Sequence, residues 1–241
     1  SVLDLYDNTR LRYPMQKDGK DFKEVTGFDA FDKMVGAAIT GKAVAILTAT
    51  VNSPSTLAII NEFLAKYPGS RHVQYDAVSY SGMLLANEAC YGKRAIPSYH
   101  FDKAKVIVSL GADFLGTWLS PTEFSNQYSQ NRKVKGEKPE LSKHFQFESM
   151  MSLTGSNADD RYTHKPSETG AVALALAAKL GVAVTAPAIA DAKLNKGIDT
   201  AVAALKASNG AALVVCGSND ANIQVVVNAI NAAIGANGTT I

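Results

Sequence analysis

The sequence predicts an α/β fold of three layers: a doubly wound, mostly parallel sheet with helices on both faces. Two observations carry this. Short apolar runs of strand length alternate with helix-period segments along most of the chain, and several of those runs end in glycine or in a Ser/Thr/Asn-rich turn. The composition agrees, with 46% apolar and 19% charged residues among 241, the ordinary balance of a chain with a buried core.

Taken in order, residues 1–27 are polar with little period and read as an irregular lead-in. Phe28, Phe31, Met34 and Val35 recur at helical spacing and predict a helix over 28–39. "KAVAILT" (42–48) is a buried strand by its continuous apolar run. Ser53-Pro54 then supplies a cap and a first-turn proline for a helix over 55–67, closed by Pro68-Gly69. "RHVQYD" (71–76) is a second strand and 81–91 a helix. "KAKVIVSLGADF" (103–114) is the clearest strand of all. Ser120-Pro121-Thr122-Glu123 has capping-box spacing for the next helix. "KHFQFES" is a strand, and 147–170 a polar crossover. A helix over 169–180 is stopped by Gly181. Thr185–Ala192, with Pro187 inside it, reads as either loop or broken helix. A helix through Ala201–Lys206, a strand over 211–216, Ser218 as cap and a last helix to about Ile234 complete the order. Residues 28–241 are thus one α/β domain. The start at Ser1, in linker-like sequence without methionine, is read as the start of a piece excised from a longer chain.

Composition excludes several classes. A net charge of +2 gives no electrostatic case for nucleic acid or an acidic membrane surface. The basic run Arg132-Lys133-Val134-Lys135 with Lys138 is interleaved with Glu137 and Glu140 and reads as a solvated loop. No run approaches the roughly 18 apolar residues that span a bilayer. Cys90 and Cys216 are too few for a four-thiolate cluster. Cys216 reads as a buried hydrophobe and Cys90 as a helix-packing residue. His72, His100, His144 and His164 are scattered and show no zinc spacing.

Ligands of doubly wound folds bind beyond the carboxyl ends of the strands. Three stretches fall there: Leu110-Gly111-Ala112-Asp113-Phe114, then Glu148 through Asn157, then Cys216-Gly217-Ser218-Asn219-Asp220. The last opens a helix whose first amides would suit an anion. Glycine after a strand serves turn chemistry first, and Ser, Asn or Asp at a helix start serves capping first. Asp159-Asp160-Arg161 reads as a salt-bridged, solvated turn, and His164 as a surface or interface histidine. Trp118 and Tyr128 read as packing under a loop.

The order of motifs resembles the molybdopterin oxidoreductase (dimethyl sulfoxide reductase) family. "KVIVSLGADF" is similar to that family's D-V-I-L-x-x-G-x-N-P segment. "FESMMSLTGSNADDRYTHKPSETGAVALALAAKL" is similar to its D-P-R-x-T-x-T-x-x-A-D run, which continues through P-G-T-D to an Ala/Leu helix. The agreement includes Ala158-Asp159 and Pro166. The tail "NAINAAIGANGTTI" resembles L-L-T-G-N-I-G-K-P-G. Glu148-Ser149-Met150 stands where Asp-Pro-Arg is the pattern, Ser167-Glu168-Thr169 where Gly-Thr-Asp is, and Asp113 in place of Asn. With these departures the chain is most similar to the molybdopterin-like region of the large iron–sulfur subunit of alternative complex III.

That resemblance implies a cofactor-free scaffold domain in a respiratory quinol:electron-acceptor oxidoreductase. The iron–sulfur clusters would lie elsewhere in the parent, on the periplasmic face of a bacterial membrane. The partners it implies are the cluster-bearing domain and other subunits of the complex, with no nucleic acid and no membrane insertion. Gly111, Asp113, Thr154, Gly217 and Asn219 would be vestiges of a cofactor site, with no catalytic and no metal-binding residue. The alternative is a domain of an active enzyme that binds molybdopterin guanine dinucleotide through Gly111, Thr154, Gly217 and Asn219. A weaker reading is a free-standing nucleotide-binding module.

Overall fold

In the computed structural model, which describes residues 2–25, 27–134 and 140–241, the chain divides into two units, one running to Val78 and one from Ser79 to Ile241. The first begins with a 3-10 turn, Val2–Tyr6, and an antiparallel hairpin of β1 (Met15–Asp18) and β2 (Asp21–Glu24). The lead-in is therefore not wholly irregular. Gly19-Lys20 is the two-residue loop, and Gly19 at φ 62° supplies the positive φ that such a hairpin turn needs. α1 (Phe28–Ile39) has the predicted bounds, yet its stripe lies open, with Phe28 69% and Phe31 40% exposed. β3 (Ala45–Thr48), α2 (Pro54–Ala65) and β4 (Arg71–Gln74) form a parallel βαβ unit with Ala45 opposite Arg71. Ser53 caps α2 as expected, its hydroxyl accepting from the Thr56 amide at 3.3 Å.

The second unit contains α3 (Ser81–Tyr91), β5 (Val106–Leu110), α4 (Pro121–Gln130), β6 (Lys143–Glu148), α5 (Leu153–Ser156) and β7 (Asp160–Thr163). It continues through α6 (Thr169–Lys179), α7 (Ala192–Ala207), β8 (Ala212–Cys216) and α8 (Ala221–Ala233). Its four strands form one parallel sheet in the order β7-β6-β5-β8. β3 and β4 pair with each other instead, so the strands are divided between sheets rather than joined in the single sheet expected.

Strand periodicity explains how this sheet is covered. Val106, Val108, Leu110, Phe145, Phe147 and Val214 face one core with Leu176 of α6, Ile198 and Leu205 of α7 and Ile230 of α8. Ile107, Leu213 and Val215 face the other, with Met83 of α3, Phe124 and Tyr128 of α4, Phe114 and Trp118. The packing role read for Trp118 and Tyr128 is met: both are buried among these aromatics. Cys216 is buried as well, and burial pushes its thiol up to about 11. Cys90 is exposed, against the packing role expected of it.

Several local expectations change. β7 lies inside the stretch read as a crossover. Asp160-Arg161 belongs to that strand rather than to a turn. The capping box at Ser120 does not form; Glu123 accepts from Gln127 one turn along. Residues 185–191 are loop, and Asp191 caps α7, accepting from the Leu194 amide at 2.9 Å. The cap of α8 is Asp220 rather than Ser218.

From β5 the chain steps outward to β6 and β7, then returns to place β8 on the other side of β5. The order reverses between β5 and β8, so the carboxyl ends of those two strands flank the switch-point crevice where folds of this kind hold ligands.

Candidate functional site

The crevice is bounded by Gly111 after β5 and Gly217 after β8. Gly111 turns the chain at φ 67°, and its N–H donates to the Phe147 carbonyl at 2.8 Å. The Gly217 N–H donates to the Leu110 carbonyl at 3.0 Å. Both amides that would face a ligand thus extend the sheet. The two backbones touch: a Cβ on Gly217 would clash with the Gly111 oxygen and lie 2.8 Å from the Gly111 carbonyl carbon.

Asn219 is engaged in the same way. Its Oδ1 accepts from the Gly82 N–H at the start of α3, at 2.9 Å, and a Cβ on Gly82 would come 2.5 Å from the Asn219 carbonyl carbon. The first turn of α8 carries the partial positive charge that attracts anions. The chain's own anion sits there: the Asp220 carboxylate accepts from the Asn222 and Ile223 amides at 2.8 and 3.3 Å.

Asp113 and Thr154 close the other side. Asp113 Oδ1 accepts from the Thr154 amide at 3.0 Å and its hydroxyl at 2.9 Å, and the Thr154 oxygen accepts from the Leu115 amide at 2.9 Å. The Asp113 carbonyl takes three more amides, from Gly116, Thr117 and Trp118. Thr154 is fully buried. Thr154→Val keeps its shape but strands the Leu115 N–H. It is expected to cost about 1–2 kcal/mol, read as a lower urea midpoint by Trp118 fluorescence. The structure therefore joins the five sequence candidates in two groups, Gly111–Gly217–Asn219 and Asp113–Thr154, each held by bonds within the chain.

A second polar assembly runs along β6. Phe145 and Phe147 enter one core, while His144, Gln146 and Glu148 are buried on the opposite face. Gln146 donates to Glu148 Oε2 at 3.0 Å, so its carbonyl faces His144 Nε2 at 3.2 Å and fixes the proton on that nitrogen. Nδ1 of the ring faces the Tyr128 hydroxyl at 3.3 Å. Burial pushes the His144 pKa down to about 4. Burial also pushes the Glu148 carboxyl up. Its bonds from Arg161 at 2.5 Å, from the Ser152 hydroxyl and amide and from Gln146 outweigh that and hold it below the ordinary carboxylate value. The alternation His-Phe-Gln-Phe-Glu is the signal that would have shown this row.

The other charged candidates sort into separate pairs. Asp159 binds Arg132 bidentately at 2.7 and 2.9 Å, Asp160 pairs with Lys143 at 2.7 Å and Arg161 with Glu148. Of the basic run, Arg132 is committed to Asp159, and Lys135, Glu137 and Lys138 lie outside the described residues. His164 is buried rather than at the surface. Its Nδ1 faces the Lys165 carbonyl at 2.8 Å and its Nε2 has no hydrogen-bond partner among the described residues. Among the described residues, no three His, Cys, Asp or Glu side chains are placed to hold a metal ion, and no helix is long and apolar enough to cross a membrane.

Beyond the ends of β6 and β7 lies a cavity of about 600 Å³ lined by Ser149, His164, Lys165, Glu168 and Asp191, among others. None of the five sequence candidates lines it. No family model matches the chain, and no curated protein matches it.

Proposed function

We propose that this chain is a non-catalytic scaffold domain, similar to the molybdopterin oxidoreductases in its doubly wound design. Its place would be an iron–sulfur subunit of a respiratory quinol:electron-acceptor oxidoreductase complex. Its partners would be the cluster-bearing domain of the same protein and neighbouring subunits at the periplasmic face of a bacterial membrane. One observation carries the non-catalytic part: the α8 amides at the switch point already hold the Asp220 carboxylate, beside the touching Gly111 and Gly217 backbones. A pyrophosphate there would have to displace a tethered anion and separate two strand ends. The membership of a respiratory complex is supported by the motif resemblance.

A second reading, a domain binding molybdopterin guanine dinucleotide, is favoured by the cavity beyond β6 and β7. Ser149 and Glu168, which line it, stand in the two stretches similar to the family's Asp-Pro-Arg and Gly-Thr-Asp motifs. The two readings separate on the protein that carries this chain, purified from its native membrane. Iron, molybdenum and tungsten are measured by plasma mass spectrometry, and oxidised extracts are assayed for pterin fluorescence. The scaffold reading expects iron without molybdenum, tungsten or pterin. Stoichiometric metal and pterin would overturn it and establish the second.

A further inference from the structure

The cavity of about 600 Å³ lies at the carboxyl ends of β6 and β7, where parallel sheets present ligands, and has the size of a small-molecule pocket. Two segments supply its charged groups. After β7 the chain runs through Lys165 to Glu168, the last residue of the 3-10 turn Pro166–Glu168 that leads into α6. Asp191 stands at the cap of α7.

Each carboxylate is half used. Glu168 Oε2 accepts from the Lys165 amide at 2.8 Å, and Asp191 Oδ1 accepts from the Leu194 amide at 2.9 Å. Among the described residues, the second oxygen of each has no donor and the Lys165 ammonium has no acidic partner. His164, in the same wall, adds a third acceptor. Its side chain is buried, with the residue only 8% exposed, and its Nδ1 faces the Lys165 carbonyl at 2.8 Å. A carbonyl only accepts, so Nδ1 carries the proton and Nε2 is an acceptor in the neutral ring. Nε2 finds no donor among the described residues, a costly state for a buried polar atom. Ile189 and Leu194 give the cavity an apolar wall.

This set of groups defines the chemistry of a ligand. One cation suits one anionic group. Two carboxylates and a neutral imidazole suit N–H donors, of which a primary ammonium has three. The apolar wall suits a hydrocarbon side chain. We propose that the cavity binds a free α-amino acid with an apolar side chain. Its carboxylate would pair with Lys165 and its ammonium with Glu168 and Asp191, bringing donors to the wall that His164 forms. The inference does not rest on the scaffold reading, since none of the crevice residues lines this cavity, and it gives the cavity a different occupant from the second reading.

The test is a titration of the intact, ¹⁵N-labelled chain with L-leucine, followed at the His164 ring nitrogens and the Lys165 and Glu168 amides. Saturable shifts at all three residues are expected at millimolar leucine. They should be absent with 4-methylpentanoate, which lacks the ammonium, and with isopentylamine, which lacks the carboxylate. No saturable shift with leucine, or equal binding of either analogue, would overturn the assignment. Lys165→Met and Glu168→Gln are each expected to weaken leucine by at least about tenfold, the loss of one hydrogen bond to a charged group. Glutamine keeps an oxygen for the Lys165 amide. Unchanged affinity in both folded variants would likewise overturn it. Should Glu168→Gln unfold by Trp118 fluorescence, Lys165→Met decides alone, since that side chain is exposed and makes no bond that holds the turn.

Discussion

Gly217→Ala is expected to destabilise the second unit by about 3 kcal/mol, the upper range for forcing a methyl into a packed site. The added carbon would meet backbone: the Gly111 carbonyl, with its carbon at 2.8 Å, and Ala112 Cα at 3.1 Å. Backbone cannot swing aside as a side-chain tip does. Relief requires parting the ends of β5 and β8, which costs the Gly217–Leu110 hydrogen bond. Gly111→Ala is the control. It has open space for its methyl but sits at φ 67°, so it is expected to cost only about 1 kcal/mol of backbone strain. Urea unfolding followed by Trp118, the single tryptophan, reports both. Equal costs, or a tolerated Gly217→Ala, would contradict the closed crevice.

The second large effect is loss of stability in mild acid. Folding lowers the His144 pKa from 6.5 to about 4, so the folded state takes up this proton less readily than the unfolded chain. The stability linked to a neutral His144 is complete above 6.5 and falls away as the pH drops from there toward 4. The total is about 3 kcal/mol, from a 1.36 kcal/mol equivalence per unit. Glu148 and Asp159 act lower. Burial pushes both up, but their Arg161 and Arg132 partners hold them below 4.5 and 3.8, and their contribution, complete above those ordinary values, is lost as the pH falls from them through the depressed ones. Urea midpoints at pH 7, 5.5 and 4.5 should therefore decline in the native chain. They should decline by much less in His144→Leu, which fills the ring's place without a proton site. An equal decline in both would assign the effect elsewhere.

Much of the fold was legible because long periodic segments report their own type. α1, predicted from apolar spacing, and α3 have the predicted bounds, and the runs at 106–110 and 212–216 are strands buried at every position. β7 was not legible: Asp160-Arg161-Tyr162-Thr163 is a half-polar edge strand whose identity rests on pairing with β6. The division of the strands between sheets was hidden for a similar reason. Helix–strand alternation fixes which elements form, whereas the pairing of β3 with β4 alone is a tertiary outcome.

At the site, the glycines and capping residues stood out by position. What they do was not visible, because it depends on β5 lying beside β8 and on α3 starting against Asn219. Ser218 and Asp220 are both good caps by type. The geometry that aims Asp220 at the Asn222 and Ile223 amides decides between them. His164 was read as a surface or interface histidine because it follows Asp159-Asp160-Arg161 in a polar stretch with no nucleophile or second base beside it in sequence, yet the fold buries it.

Whether the switch point is closed is tested most directly by titrating the isotope-labelled chain with guanosine diphosphate and following the amide resonances of Gly111, Gly217, Asn222 and Ile223. With Asp220 on the α8 amides and the two glycine backbones in contact, no saturable shift is expected at any of the four, even at millimolar ligand. Saturable shifts at Asn222 and Ile223 together with Gly217 would show a diphosphate displacing the Asp220 carboxylate, and would contradict a closed crevice.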